Sequence, residues 1–285
     1  MTLDASYRHC RDIARRHGTT FFLATRLLPA ERRRHVHALY AFARTADDLV
    51  DTPRPGIDPA DALDRLEARL DDGLETSTPD TRTFDPVLEA VADTVRRFDI
   101  PRACFDRFLT SMRQDLSVAA YESWDDLLGY MDGSAAAIGE MLLPLLDPSD
   151  RDAALGPARA LGLAFQLTNF LRDVGDDLDR GRQYLPQVDL RRFGVDLTDR
   201  RVDAAFTELI RFEIARCRTL YATADPGLAL LPRRCRLSIG AARLMYAAIL
   251  DGIEAGGYDV FARRVTVART KRVCLLVVST ARLWR

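Results

Sequence analysis

Along most of the chain apolar residues return every three or four positions, the period of one helical face, and strict alternation with polar residues is almost nowhere found. The pattern predicts an all-α fold. Pro29, the Pro53-Arg54-Pro55-Gly56 turn, Thr78-Pro79, Pro101, Pro148, Pro157, Pro186, Pro226 and Pro232 cut it into runs of ordinary helix length. That gives roughly a dozen helices once short ones are counted. No fixed-period repeat is present.

Two of these runs, residues 36–46 and 161–172, are apolar enough to read as core helices, and each ends in acids. The first leads into Asp47-Asp48-Leu49-Val50-Asp51 and the second into Asp173-Val174-Gly175-Asp176-Asp177. Residues four apart on a helix share a face, with Cβ atoms roughly 5–6 Å apart, so Asp47 with Asp51 and Asp173 with Asp177 each converge on one point. A buried carboxylate is costly unless it is paired or bound to a metal. Arg44 and Arg172 offer ion pairs; a hard cation such as Mg²⁺, which takes one or two carboxylates plus water and phosphate oxygens, offers the other solution. Two clusters of matching spacing favour a shared metal clamp for a diphosphate.

Two further stretches bear on this. Residues 130–143, Tyr130 to Leu143, are rich in Gly and Ala, which permits close helix packing or close approach of an apolar ligand. Beyond the second cluster, Arg180 and Arg182 can neutralise a diphosphate or cap a helix C-terminus.

Composition narrows the class. The 285 residues, 47% hydrophobic and 29% charged, suit one globular domain spanning 1–285, since no Pro- or Gly/Ser-rich linker divides them. A net charge of −1 and a pI near 6.4 argue against a nucleic-acid partner. Cys10, Cys104, Cys217, Cys235 and Cys274 stand singly, without zinc or disulfide spacing. The opening residues, with Asp4, Arg8 and Arg11, do not read as a secretory signal, and the apolar run at 273–278 is far short of the ~20 residues that span a bilayer. A cytoplasmic protein is expected, with any membrane contact peripheral, at the inner face; no oligomeric state is implied.

Taken together, Arg44 to Asp51, the stretch Gln166 to Pro186, the opening His17-Gly18-Thr19-Thr20-Phe21-Phe22, Arg26-Leu27-Leu28-Pro29, the small-residue helix from Tyr130 and Tyr258-Asp259-Val260-Phe261 resemble the squalene and phytoene synthases over nearly the whole chain. The resemblance implies the isoprenoid synthase fold, helices around a deep apolar cavity with acidic motifs facing at its mouth. It implies a prenyltransferase that joins two prenyl diphosphates head to head through a cyclopropyl diphosphate, with Mg²⁺ or Mn²⁺ as cofactor and NADPH not expected. By the same resemblance Arg44, Asp47, Asp51, Tyr130, Asp173 and Asp177 are catalytic. The metal set is Asp47, Asp48, Asp51, Asn169, Asp173 and Asp177. Thr20, Phe22, Tyr40, Gln166, Asn169, Arg172, Arg182, Tyr258 and Arg264 are substrate contacts. Aromatic faces such as Phe22, Tyr40, Phe165 and Phe170 would steady cationic intermediates by roughly 0.5–2 kcal/mol each, or simply pack the core.

The chain departs from the family at Gly18, where relatives often carry a hydroxyl, and at Asp176, where many have Glu. His9, His17, His35 and His37 show no ligand arrangement and are expected to be structural or on the surface. Within the family the chain is most like bacterial phytoene synthases, which points to two geranylgeranyl diphosphates giving phytoene. Coupling of two farnesyl diphosphates to a C30 product, cyclisation of a single prenyl diphosphate, and a non-catalytic binding or assembly role remain as alternatives.

Overall fold

The computed structural model describes residues 2–75, 85–262, 264–268, 270–272 and 274–276. Thr78-Pro79 and parts of the 273–278 run lie outside the described residues. Among those described the protein is helical, and the one extended pairing is an isolated bridge between Ala120 and Gln183. In chain order the helices are α1 (Leu3–His17), α2 (Thr19–Thr25), α3 (Ala30–Asp51), α4 (Pro59–Glu75), α5 (Pro86–Phe98), α6 (Arg102–Gln114), α7 (Trp124–Met131), α8 (Ala137–Leu146), α9 (Arg151–Asp179), α10 (Gln187–Phe193), α11 (Ala204–Ala224) and α12 (Arg233–Ala255). No helix among the described residues is long and apolar enough to cross a membrane.

Local chemistry sets most of these boundaries. Pro29, Pro101, Pro186 and Pro232 sit at N-caps, where a missing N–H costs nothing. Asp85 accepts hydrogen bonds from the Val87 and Leu88 N–H groups at the start of α5, and Ser123 with Asp126 closes a capping box on α7. Pro157 behaves otherwise than the sequence suggests: α9 runs through it without a break. Its ring packs against Gly227, where an added Cβ would lie 2.4 Å from the proline Cβ, so tertiary contact outweighs the lost helical bond.

Two apolar clusters share the packing. One gathers the inner faces of α1, α3, α4, α5, α6 and α8 around Leu39, Phe42, Leu63, Phe105 and Met141. The other gathers α7, α9, α11 and α12 around Leu127, Leu167, Leu171, Phe206 and Ile253. Helix α9 is the axis of the second cluster and touches α8, α11 and α12. His35 and His37 are buried in the first half and hydrogen-bonded, His35 to Tyr7 and Thr94, His37 to Thr25, and so are structural.

The small-residue stretch after Tyr130 resolves in favour of close packing. Between α7 and α8 the chain forms a π-turn, Asp132–Ala136, a feature that often marks functional sites. A Cβ on Gly133 would fall 2.1 Å from the Arg107 carbonyl oxygen, one on Gly139 2.4 Å from that of Ala158, and one on Gly162 2.4 Å from that of Ala135. Around this contact a ring of two arginines and two acids closes, with Arg107 bonded to Asp132 and Glu140 and Arg159 bonded to the same two. Backbone in contact with backbone leaves no flexible side chain to yield. Gly162→Ala is therefore expected to lower stability by about 1–3 kcal/mol, whereas Gly156→Ala, on the exposed face of the same helix with open space around it, is expected to raise it by about 0.5–1 kcal/mol; chemical denaturation of both variants checks the pair.

Candidate active site

Both acidic clusters stand at the C-terminal ends of their helices, α3 and α9, and neither helix carries a basic residue in its last turn. That end of a helix is the negative pole of its macrodipole, so acids there are electrostatically misplaced. Such a break with local preference is expected where function demands it.

Arginines hold the acids in place. Arg44 lies 3.0 Å from Asp47 and also donates to Asp48. Arg172 donates to both oxygens of Asp173, at 2.7 and 2.5 Å, and Arg264 reaches from beyond α12 to the same two oxygens at 2.7 Å each. Arg180 is 3.7 Å from Asp177. Most telling is Arg182, which follows α9 and donates to Asp51 on α3 at 2.6 Å. This bond joins the element that carries the second cluster directly to the first. Among the described residues no three acidic, histidine or cysteine side chains are gathered into a ready-made metal cage.

The electrostatics reveal what the arginines leave uncompensated. Asp47 keeps 42% of its side-chain surface, yet burial, followed by repulsion from Asp51, pushes its carboxyl up to about 6. Burial and then repulsion from Asp173 push Asp177 up to about 7. Burial would raise Asp173 as well, but the bonds from Arg172 and Arg264 prevail and hold it below its ordinary value. Carboxylates that are desolvated, mutually repelling and oxygen-only make a donor set suited to a hard divalent cation.

Aromatic pairs join α2 to α3 and α9 to α12. Phe165 stacks on Tyr246 at 4.3 Å, Phe21 on Tyr40 at 4.8 Å, and Phe22 on His37 at 5.3 Å. Burial, the nearby Tyr246 phenol, and Asp47 and Asp48 together push the Tyr40 phenol up to about 12. Gly18 is part of the same arrangement: a Cβ there would come 2.9 Å from the Tyr40 ring and hydroxyl, so the place of a side chain is taken by that phenol. Gln166 and Asn169 are half-buried on α9 near Phe165, and Thr20 is half-buried on α2. Tyr258 goes elsewhere; it accepts a hydrogen bond from Arg211 of α11 at 3.0 Å and forms no described contact with the acids.

Three residues here stand outside the site set read from the sequence, although Tyr184 lies within the Gln166–Pro186 stretch. Asp115, at the end of α6, accepts hydrogen bonds from Tyr130 at 2.8 Å and Tyr184 at 3.0 Å. Tyr184 stacks on Phe170 at 3.9 Å, and Tyr246 backs Phe165. The one available signal was an acid at the end of an otherwise apolar helix face, weak beside a paired cluster.

An all-helical bundle with two acidic pairs meeting arginines at the ends of two core helices has the isoprenoid synthase fold. A dehydrosqualene synthase crystal structure, determined with a ligand, superposes with a TM-score of 0.90 at 31% identity, covering 99% of this chain and 98% of that one. The squalene/phytoene synthase family model matches residues 14–271, and the chain belongs to that family. It is 39% identical over 282 residues to phytoene synthase 3, chloroplastic, of Zea mays, covering 96% of this chain but only 65% of that protein's length. To a phytoene synthase of Arthrospira platensis it is 35% identical, covering 99% of this chain and 94% of that protein.

The raised carboxyl of Asp177 has a thermodynamic consequence. Its value of about 7 in the fold, against 3.8 for the ordinary group, means that the folded state holds the proton more tightly. Stability is therefore lost as pH rises from about 4 to about 7. Asp177→Asn removes this cost and is expected to stabilise the metal-free protein at pH 8 by on the order of 2 kcal/mol, with little effect near pH 4; denaturation curves at the two pH values check it.

Proposed function

We propose that the chain joins two prenyl diphosphates head to head through a cyclopropyl diphosphate, with two geranylgeranyl diphosphates as substrates and phytoene as product. The observation that supports this reading is the Arg182–Asp51 bond, which links the first acidic cluster to the chain just beyond the second. Asp47, Asp51, Asp173 and Asp177, with Asp48 and Asn169 beside them, would hold Mg²⁺ or Mn²⁺, and the metal when bound supplies Lewis-acid neutralisation of a leaving diphosphate.

The chain's own residues do the rest. Arg44, Arg172, Arg182 and Arg264, now engaged by carboxylates, carry guanidinium forks that match phosphate oxygens equally well. They stabilise the charge that develops as the carbon–oxygen bond breaks. Phe22, Tyr40, Phe165 and Tyr246 offer π faces to the allylic cation left behind, worth about 0.5–2 kcal/mol each. The second chain's double bond attacks this cation, and loss of a proton closes the three-membered ring. The departing diphosphate takes up this proton, while Tyr130, whose O–H is donated to Asp115 at 2.8 Å, holds that carboxylate in place. Thr20 and Gln166 complete the substrate contacts, and apolar walls keep water from quenching the cation.

For the prenyl tails, a narrow apolar crevice lined by Phe21, Ala24, Val36, Leu142, Ile239 and Ala242 lies toward the other end of α3. Val36 precedes Asp47 by eleven residues, a depth of about 16 Å along the helix. The whole chain, 1–285, acts as one domain in this reading, in the cytoplasm with peripheral access to a membrane, where long-chain diphosphates partition.

A C30 product is the second reading, favoured by the likeness to a dehydrosqualene synthase structure. Incubation with Mg²⁺ and either geranylgeranyl or farnesyl diphosphate, followed by mass analysis of the hydrocarbons, separates the two. A C40 hydrocarbon is expected from the longer substrate. A C30 product alone moves the assignment to the shorter chain, a C20 or C15 hydrocarbon makes the protein a cyclase, and no turnover contradicts the enzymatic reading. Asp47→Asn and Asp177→Asn are each expected to lower turnover by roughly 10²-fold or more.

A further inference from the structure

Asp115 lies outside both acidic clusters, yet each of its carboxylate oxygens receives a phenol: Tyr130 on Oδ2 at 2.8 Å and Tyr184 on Oδ1 at 3.0 Å. Tyr184 stands two residues beyond Arg182. Its ring is 92% buried, stacked on Phe170 of α9 at an interplanar angle of 10° and bracketed by Tyr121 and Tyr130 at 6.1 and 5.7 Å. On the other side of that turn the Arg182 guanidinium reaches Asp51 on α3. A short rigid path therefore runs from Asp115 through Tyr184 and one intervening residue to the arginine that joins the clusters.

Resting on the reading above, we infer that Asp115 is a positioning residue for Arg182: by accepting the Tyr184 hydroxyl it sets the turn at 182–184 so that the guanidinium is presented to Asp51 and, during the reaction, to diphosphate. An arginine has many rotamers, and most of its value to an anion depends on being held in place beforehand. The backbone alone is the competing explanation. Arg182 N–H donates to the Asp177 carbonyl at 2.9 Å, Gln183 N–H to that of Ala119 at 2.8 Å, and Gln187 N–H to that of Tyr121 at 2.9 Å. These bonds fix where the strand of chain runs. Presentation of the Arg182 side chain is assigned to the further constraint of the stacked, buried Tyr184.

Tyr184→Phe removes the hydroxyl without changing charge or packing, and a double-mutant cycle with Arg182→Gln tests the path. The affinity of wild type, the two single variants and the double variant for inorganic pyrophosphate in excess Mg²⁺ is measured by calorimetry. Tyr184→Phe is expected to weaken binding roughly 3- to 10-fold and Arg182→Gln roughly 10-fold or more. The double variant is expected to be no weaker than Arg182→Gln alone, because the hydroxyl acts only through the arginine. Effects that multiply, or a Tyr184→Phe variant that binds as wild type does, overturn the inference in favour of the backbone. The same four proteins melted without ligand give a second cycle, in which non-additive shifts in Tm support the path and additive shifts overturn it. Should wild type bind no pyrophosphate at all, the functional reading fails while the melting cycle still decides on Asp115. Asp115→Ala, which removes the acceptor together with a negative charge that would otherwise oppose pyrophosphate, replaces Tyr184→Phe in both cycles if the latter does not fold.

Discussion

Burial of carboxylates that also repel one another is the constraint on which the arrangement of this protein depends. Asp47 against Asp51 and Asp173 against Asp177 are each set at one-turn spacing at the negative pole of a helix, and in both pairs one carboxyl is driven well above its ordinary value. Nothing in local helix chemistry favours this, and four arginines from different parts of the chain are recruited to offset it. The offset is incomplete. A polyanion bound with divalent cations would complete it, because cations satisfy the acids while the released guanidiniums satisfy the phosphates.

Much of the fold can be understood as bringing α3 and α9 to the same edge and keeping them there. Backbone-to-backbone packing at Gly133, Gly139 and Gly162 draws α6, α8, α9 and the π-turn together, and the closed ring of Arg107, Asp132, Glu140 and Arg159 clasps the same contact. Interiors this dense transmit displacement instead of absorbing it. Helix α9, which carries the second cluster, is anchored in that contact.

Helical periodicity, prolines at N-caps and the i, i+4 acids were all legible in the sequence, because each is a relation between residues close along the chain. Relations across the fold were legible only in part. The sequence placed Arg44 and Arg172 beside acids three or one residue away, but nothing in it could pair Arg182 with Asp51, 131 positions apart, or Arg264 with Asp173. Asp115 went unmarked for the same reason: its partners, Tyr130 and Tyr184, lie on other elements. The small-residue helix was readable as either packing or ligand lining, and the distances at its glycines decide for packing. Pro157 misled because its ring is accommodated by Gly227, a contact made only in the folded chain.

The most direct test is a calorimetric titration of the wild-type protein with Mg²⁺ alone, with inorganic pyrophosphate alone, and with each in the presence of the other. If the two acidic pairs and their arginines form one site, each ligand strengthens the binding of the other by at least tenfold, the reciprocity that linkage requires. Pyrophosphate that binds equally well with and without the metal, or not at all in its presence, would contradict the reading of the acids as a shared cation and diphosphate site.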